Sequence, residues 1–140
     1  MNAVAYPASE AASGGPAASP VTILVIDDDA AMRTILNFSL MALGYLVLGA
    51  GSGDEALQIT RNHPEIRLIM LDVVMSGLSG KKLAEQLKAN LPGSSVLFCS
   101  GHPATVMLRH DIDVRAEHFL QKPFRPPELK LKLEGMLVTG

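Results

Sequence analysis

Five short runs, four of them mainly apolar, alternate along the chain with segments of helical periodicity. The runs lie near 22–27, 45–49, 67–71, 95–99 and 117–121. Continuous apolar runs of this length are typical of parallel strands that are buried on both faces of a sheet. Because crossovers between parallel strands are right-handed, the helices between them pack on both faces. The pattern therefore predicts an α/β fold with a doubly wound, five-stranded parallel sheet.

The segments between and after these runs predict five helices. They lie near 30–43, 53–62, 79–90, 103–112 and 126–138. In the first, the spacing predicts a buried face made of Met32, Ile35, Leu36, Ser39 and Leu43. Gly44 suits the end of this helix, and Ser52 followed by Glu55 predicts a capping box at the start of the second.

The first twenty residues differ in composition from the rest of the chain. They consist mainly of Ala, Pro, Ser and Gly and contain no Lys or Arg, so they lack the positive start and apolar core of a secretory signal. We expect residues 1–20 to form a disordered tail and residues 21–140 to form one domain. The apolar stretch 40–50 is broken by Gly44 and is too short to cross a bilayer, so we expect a cytoplasmic protein.

Polar residues follow four of the five predicted strands, at the point where each strand ends. They are Asp27 and Asp28, Asp72, Ser100 and Lys122. Because doubly wound sheets bind ligands at the carboxyl ends of their strands, we expect these side chains to meet. Carboxylates, a hydroxyl and an ammonium group suit a magnesium ion with a phosphoryl group beside it.

Each of these residues also has a purely structural interpretation. Asp27 to Asp29 can form a turn and a helix N-cap, which is the role we favour for Asp29. Ser100 can cap a helix, and an isolated lysine such as Lys122 usually lies on the surface. Their coincidence at one edge of the sheet favours the functional interpretation.

The charge and cysteine content narrow the possible partners. The chain has 12 basic and 14 acidic residues, and removing Asp27, Asp28, Asp29 and Asp72 from the 14 leaves 10. The remaining charge is nearly balanced, so nothing suggests binding to nucleic acid or to a membrane surface. Cys99 is the single cysteine, which excludes a disulfide and is consistent with a reducing compartment.

Together these motifs resemble the receiver domain of two-component response regulators over residues 22 to about 138. The matching segments are 26–29, 71–80, 100–101 and 122–124. The family usually has proline where this chain has Ser76. The resemblance implies a flavodoxin-like fold with strand order 2-1-3-4-5.

The resemblance also implies a role for each matching residue. Asp72 would take a phosphoryl group from a phosphohistidine of a sensor histidine kinase or histidine phosphotransfer protein. Asp28, Asp72 and the backbone carbonyl of Val74 would bind Mg²⁺, with Asp27 helping, often through water. Lys122 would pair with one phosphoryl oxygen, and the Ser100 hydroxyl would move to bind another.

The resemblance further implies how the signal would leave the site. Phe119 matches an aromatic switch position that turns inward after phosphorylation. The signal would reach a downstream protein target through the face formed by segments 103–112, 117–121 and 126–138. Lys122-Pro123 is a candidate cis peptide. We expect that the protein is not an enzyme that acts on separate substrates. It would be a phosphoacceptor that assists its own phosphorylation and dephosphorylation.

Other functions on this fold remain as alternatives. Because no output module follows Gly140, we expect a stand-alone receiver. A pseudo-receiver that acts as a constitutive interaction module is the main alternative, although the complete set of acids, hydroxyl and lysine argues against it. A flavin or nucleotide binder would need a glycine-rich loop after the first strand, where this chain has acids. An aspartyl-phosphate phosphatase would need an acid at position 74, which is Val.

Overall fold

The computed structural model describes residues 20–75, 79–101 and 118–137. Its strands are β1 (Thr22–Ile26), β2 (Leu46–Ala50), β3 (Ile66–Asp72), β4 (Ser95–Ser100) and β5 (Phe119–Gln121). Its helices are α1 (Ala30–Ala42), α2 (Gly53–Asn62), α3 (Gly80–Asn90) and α4 (Pro126–Leu137), the last being the fifth predicted helix. None of these four helices has the length and apolar character needed to span a bilayer.

Two of the predicted elements fall outside this description. The helix predicted near 103–112 and nearly all of the tail predicted over 1–20 lie outside the described residues, so both stay predictions. The strands and helices that are described agree with the predicted positions to within a few residues. Ser76, the departure from the family pattern, also lies outside the described residues.

The five strands form one parallel sheet in the order β2-β1-β3-β4-β5. The predicted fold class, a doubly wound and flavodoxin-like α/β sheet, is confirmed. At the carboxyl end of the sheet, Ile26 pairs with both Ala50 and Leu71, and Asp72 pairs with Cys99. This register brings Asp27, which follows β1, to the level of Asp72, the last residue of β3, so the two acids lie beside each other.

The core has two layers, one on each face of the sheet. One layer contains Leu24, Ile26, Ile69 and Leu71 and is covered by α2 and α3. The other contains alternate strand residues such as Ile23 and is covered by α1 and α4. All five residues of β1 are buried, which explains why its sequence after Thr22 is continuously apolar rather than alternating.

Helix α1 begins as predicted, and much of its predicted face lies in the core: Leu36 is buried, and Met32 and Leu43 pack against the same cluster. The Asp29 carboxylate accepts the amides of Ala31 and Met32, so Asp29 is the N-cap, and Gly44 follows the helix at a φ of 97°. The buried residues are Leu36, Asn37 and Leu40. Ile35 was predicted to lie in the core, but 57% of its surface is exposed. The prediction for Ile35 was wrong because apolar spacing is compatible with several rotations of a helix about its axis.

The capping box predicted at α2 is half formed. The amide of Glu55 donates to the Ser52 hydroxyl at 3.1 Å, as predicted. The Glu55 carboxylate accepts the amide of Gly51 at 2.7 Å, one residue before the cap. This contact holds the loop that joins β2 to α2, which lies next to the loop carrying Asp27.

Candidate functional site

Three carboxylates converge at the carboxyl end of the two central strands. Asp27 directly follows β1, Asp28 comes next in the loop, and Asp72 is the last residue of β3. One carboxylate oxygen of each residue lies within 4.8 Å of the other two. Asp27 is buried, Asp72 is half-buried and Asp28 is exposed, so the cluster opens to solvent on the side of Asp28. The arrangement can hold a metal ion, and carboxylate oxygens are preferred by hard divalent cations.

Lys122 completes the cluster from the edge of the sheet. It follows β5, and its backbone amide donates to the Ser100 carbonyl at 2.8 Å. Its ammonium donates to Asp27 Oδ2 at 2.9 Å and lies 3.7 Å from Asp72 Oδ2. The Lys122–Pro123 peptide bond is cis, as the resemblance implied. The structure thus brings the lysine together with the acids, as predicted.

Asp27 is held in place from several sides. Its backbone amide donates to the Ala50 carbonyl at 3.1 Å. Its Oδ1 accepts the amide of Asp29 at 2.9 Å, while its Oδ2 accepts from Lys122. Both carboxylate oxygens therefore already have donors within the protein, which distinguishes Asp27 from the exposed Asp28.

The environment raises the pKa of both Asp72 and Lys122, but for different reasons. Burial raises the pKa of the Asp72 carboxyl, the positive charge of Lys122 opposes the rise, and the charges of Asp27 and Asp28 add to it. Burial alone would lower the pKa of Lys122, but the hydrogen bond to Asp27 and the charge of Asp72 raise it above its usual value. The site therefore keeps a protonated lysine beside a carboxylate whose negative charge is poorly solvated.

Ser100 and Val74 lie beside Asp72. Ser100 ends β4 and is fully buried, one residue beyond Cys99, which pairs with Asp72. The backbone amide of Val74 donates to Asp72 Oδ1 at 3.2 Å. This places both residues at the predicted position in the fold. The roles of the Ser100 hydroxyl and of the Val74 carbonyl stay predictions.

The structure adds one residue that the sequence did not identify. Arg33, in α1, donates from Nη1 to the backbone carbonyl of Asp27 at 2.7 Å. The sequence feature that could have indicated Arg33 is its position four residues after the N-cap Asp29, which is one helical turn from the acidic loop. A basic residue at that spacing lies close to the loop, although spacing alone does not show which atom it contacts.

Comparison with known proteins identifies the family. The response regulator receiver domain model matches residues 23–134. The chain belongs to this family. Its receiver domain is 35% identical over 119 residues to the response regulator MprA of Mycobacterium sp. (strain KMS), covering 84% of this chain and 51% of that protein.

Two solved structures have the same fold. The receiver domain of the hybrid histidine kinase CckA is 31% identical, with a TM-score of 0.69 over 83% of this chain and 98% of that one. Chemotaxis protein CheY4 of Vibrio cholerae, 24% identical, has a TM-score of 0.74 over 85% of this chain and 100% of that one, which shows the shared fold. The chain spans about half the length of the curated relatives it matches. Family membership places this receiver in two-component signalling.

Proposed function

We propose that this receiver takes a phosphoryl group from a phosphohistidine onto Asp72, with Mg²⁺ bound beside it. The observation that supports this most strongly is the meeting of three carboxylates with the Lys122 ammonium at one edge of the sheet. The donor carries a negatively charged phosphoryl group, and the acids alone would repel it. A lysine and a divalent cation at the same place offset that repulsion.

The side chains fit a magnesium ion. The available side-chain ligands are carboxylate oxygens, which Mg²⁺ prefers over nitrogen or sulfur. Asp28, Asp72 and the backbone carbonyl of Val74 would bind the ion directly. Both oxygens of Asp27 already accept hydrogen bonds, which is consistent with an indirect role through water. When bound, Mg²⁺ would neutralise negative charge and orient the phosphoryl oxygens.

The protein's own residues account for the transfer. An oxygen of the Asp72 carboxylate attacks phosphorus, the phosphorus–nitrogen bond breaks, and the electron pair leaves with the imidazole of the donor. Lys122 lies 3.7 Å from Asp72 Oδ2, close enough to pair with an oxygen of the new acyl phosphate. The receiver would therefore assist its own phosphorylation and dephosphorylation without acting as an enzyme on separate substrates.

An apolar surface beside the site is suited to the phosphohistidine donor. On α1, Ile35 and Phe38 are 57% and 68% exposed and lie three residues apart on one face. A groove of about 190 Å³ runs between α1 and the segment after β5, with Met32, Phe124 and Lys122 in its lining. Lys122 lies both in the groove and 3.7 Å from Asp72, so a helix packed over this face, with apolar side chains in the groove, would bring a histidine close to Asp72. We propose that a sensor histidine kinase or histidine phosphotransfer protein binds here through an apolar helix face.

The output would use the edge of the sheet at β5. Phosphate on Asp72 would draw the Ser100 hydroxyl and Lys122 towards its oxygens, which favours one of two conformations of the edge of the sheet. Phe119 is half-buried beside Phe98 in the adjacent strand, where it can report such a change. The signalling face would include β5, α4 and the helix predicted near 103–112, which a downstream protein target would bind.

The phosphoacceptor is tested with a small donor. The wild-type protein is incubated with acetyl phosphate and Mg²⁺, and intact mass is measured. We expect one phosphoryl group on the wild type and on Asp54→Asn, which changes an exposed acid of α2, and none on Asp72→Asn. Label that persists in Asp72→Asn would refute the assignment. A wild-type protein that takes no label would favour the alternative, a constitutive interaction module.

A further inference from the structure

Arg33 holds the backbone of Asp27. Its Nη1 donates to the Asp27 carbonyl at 2.7 Å, while the Asp27 amide donates to the carbonyl of Ala50 at 3.1 Å. The peptide groups on both sides of the Asp27 α-carbon are therefore held, one by α1 and the other by β2. Asp28 follows directly on the peptide that Arg33 binds, so the direction of its carboxylate depends on this contact.

Gly51 makes room for the arginine, whereas Gly49 leaves an ordinary contact distance. A Cβ atom at Gly51 would lie 3.0 Å from Arg33 Nη1, and a Cβ atom at Gly49 would lie 3.8 Å from Arg33 Cδ. Among the described residues, positive φ is found at Gly44, so backbone conformation does not require glycine at position 51. The amide of Gly51 is held by Glu55 at 2.7 Å. A side chain at position 51 would consequently displace the guanidinium group rather than the loop.

We infer that Arg33 is a positioning residue of the metal site, which sets the placement of the Asp27 and Asp28 carboxylates through the Asp27 carbonyl. The inference rests on the proposed binding of Mg²⁺ by these acids. A guanidinium group is suited to this task because its planar donors are rigidly arranged and it stays charged. Groups that orient metal ligands commonly change metal affinity strongly when they are removed.

A positioning role and a pure charge effect of Arg33 predict opposite changes in Mg²⁺ affinity when Arg33 is removed. Arg33 is a cation near an acidic cluster, so if it acted only through its charge, its removal would strengthen Mg²⁺ binding. If it acts by positioning, its removal weakens Mg²⁺ binding despite the loss of repulsion. Gly51→Ala separates the two effects further, because it keeps the charge and disturbs only the place where the guanidinium lies.

The experiment compares Arg33→Met and Gly51→Ala with the wild type. Mg²⁺ dissociation constants are measured by calorimetry and by amide NMR, and the free energy of unfolding is measured in urea with EDTA. We expect Arg33→Met to bind Mg²⁺ about tenfold more weakly and Gly51→Ala to bind it more weakly by a smaller factor. In both variants the NMR signal of the Asp29 amide should be shifted before metal is added. Arg61→Met, an exposed arginine at the end of α2, serves as control and should bind like the wild type.

Each other outcome has a defined meaning. Tighter binding by Arg33→Met with unchanged binding by Gly51→Ala would show a charge effect and overturn the inference. Loss of unfolding free energy without a change in the Mg²⁺ affinity of the folded protein would show a merely structural role and also overturn it. Absence of Mg²⁺ binding by the wild type would refute the proposed metal site itself, and the inference with it.

Discussion

The ammonium of Lys122 is hydrogen-bonded to Asp27, at 2.9 Å, while it lies 3.7 Å from Asp72, the proposed phosphoacceptor. The two residues are 95 positions apart in the sequence, and 16% of the Lys122 side chain and 3% of the Asp27 side chain are exposed. The lysine thus has a partner before any phosphoryl group arrives. To pair with phosphate on Asp72, Lys122 would have to give up its hydrogen bond to Asp27 or share its donors between the two groups.

Removal of Lys122 should destabilise the metal-free protein. Lys122→Met leaves three clustered acids without their cation, so we expect the free energy of unfolding to fall by about 3 kcal/mol in EDTA. Mg²⁺ supplies positive charge at the same place and binds the folded state, so the deficit should shrink when it is added. Urea denaturation with and without Mg²⁺ measures both values. Lys130→Met, an exposed lysine on α4, is the control, and an equal deficit in both conditions would contradict the expectation.

Adjacent acids should have separable roles. Asp28→Ala removes an exposed acid of the metal cluster, so it should lose most of the Mg²⁺ affinity without destabilising the metal-free protein. Asp29→Ala removes the N-cap of α1, so it should lower the free energy of unfolding by about 1 kcal/mol and largely keep Mg²⁺ binding. Calorimetric titration and urea denaturation of both variants give the test. If Asp28→Ala bound Mg²⁺ like the wild type, Asp28 would not be a ligand.

The exposed face of α1 should affect phosphorylation by a protein donor but not by a small-molecule donor. Phe38→Ser removes a side chain that is 68% exposed, so stability should change little. We expect the kcat/KM for transfer from the phosphorylated histidine protein to fall about tenfold, as for loss of an aromatic contact at an interface. Phosphorylation by acetyl phosphate should be unchanged. Leu131→Ser, 70% exposed on α4, is the matched control, and equal losses in both variants would contradict a docking role specific to α1.

Cys99 should be inert in the folded protein. Burial raises the pKa of its thiol to about 12, so the reactive thiolate is scarcely populated at about pH 8, and the side chain is 3% exposed. We expect no reaction with a disulfide reagent under native conditions and complete reaction after denaturation by guanidinium chloride. Because the folded pKa lies above the unfolded one, the thiol should also reduce stability as the pH rises from about 9 towards 12. Fast native labelling would show that β4 opens more readily than its burial indicates.

The sequence alone determined the parallel sheet and most of the residues that meet at its edge. Strands buried on both faces must be largely apolar, so the stretches 23–26 of β1 and 68–71 of β3 are visible as uninterrupted apolar runs, and each ends where a polar residue begins. In a parallel sheet all such ends lie on one side, which brings Asp27, Asp72 and Lys122 together without knowledge of the contacts. The N-cap role of Asp29 was also predictable, because capping depends only on neighbours within one helical turn.

Only the tertiary structure decided which atoms meet. Apolar spacing on α1 is compatible with several rotations, and packing against the sheet buried Leu40 while leaving Ile35 exposed. The bond of Arg33 to the Asp27 carbonyl depends on the space left by Gly51 in another strand–helix loop, and the preference of Lys122 for Asp27 depends on the relative positions of β1 and β5. Local patterns report each segment's own hydrogen bonding and burial, whereas contacts between distant segments depend on how side chains of different elements fit together.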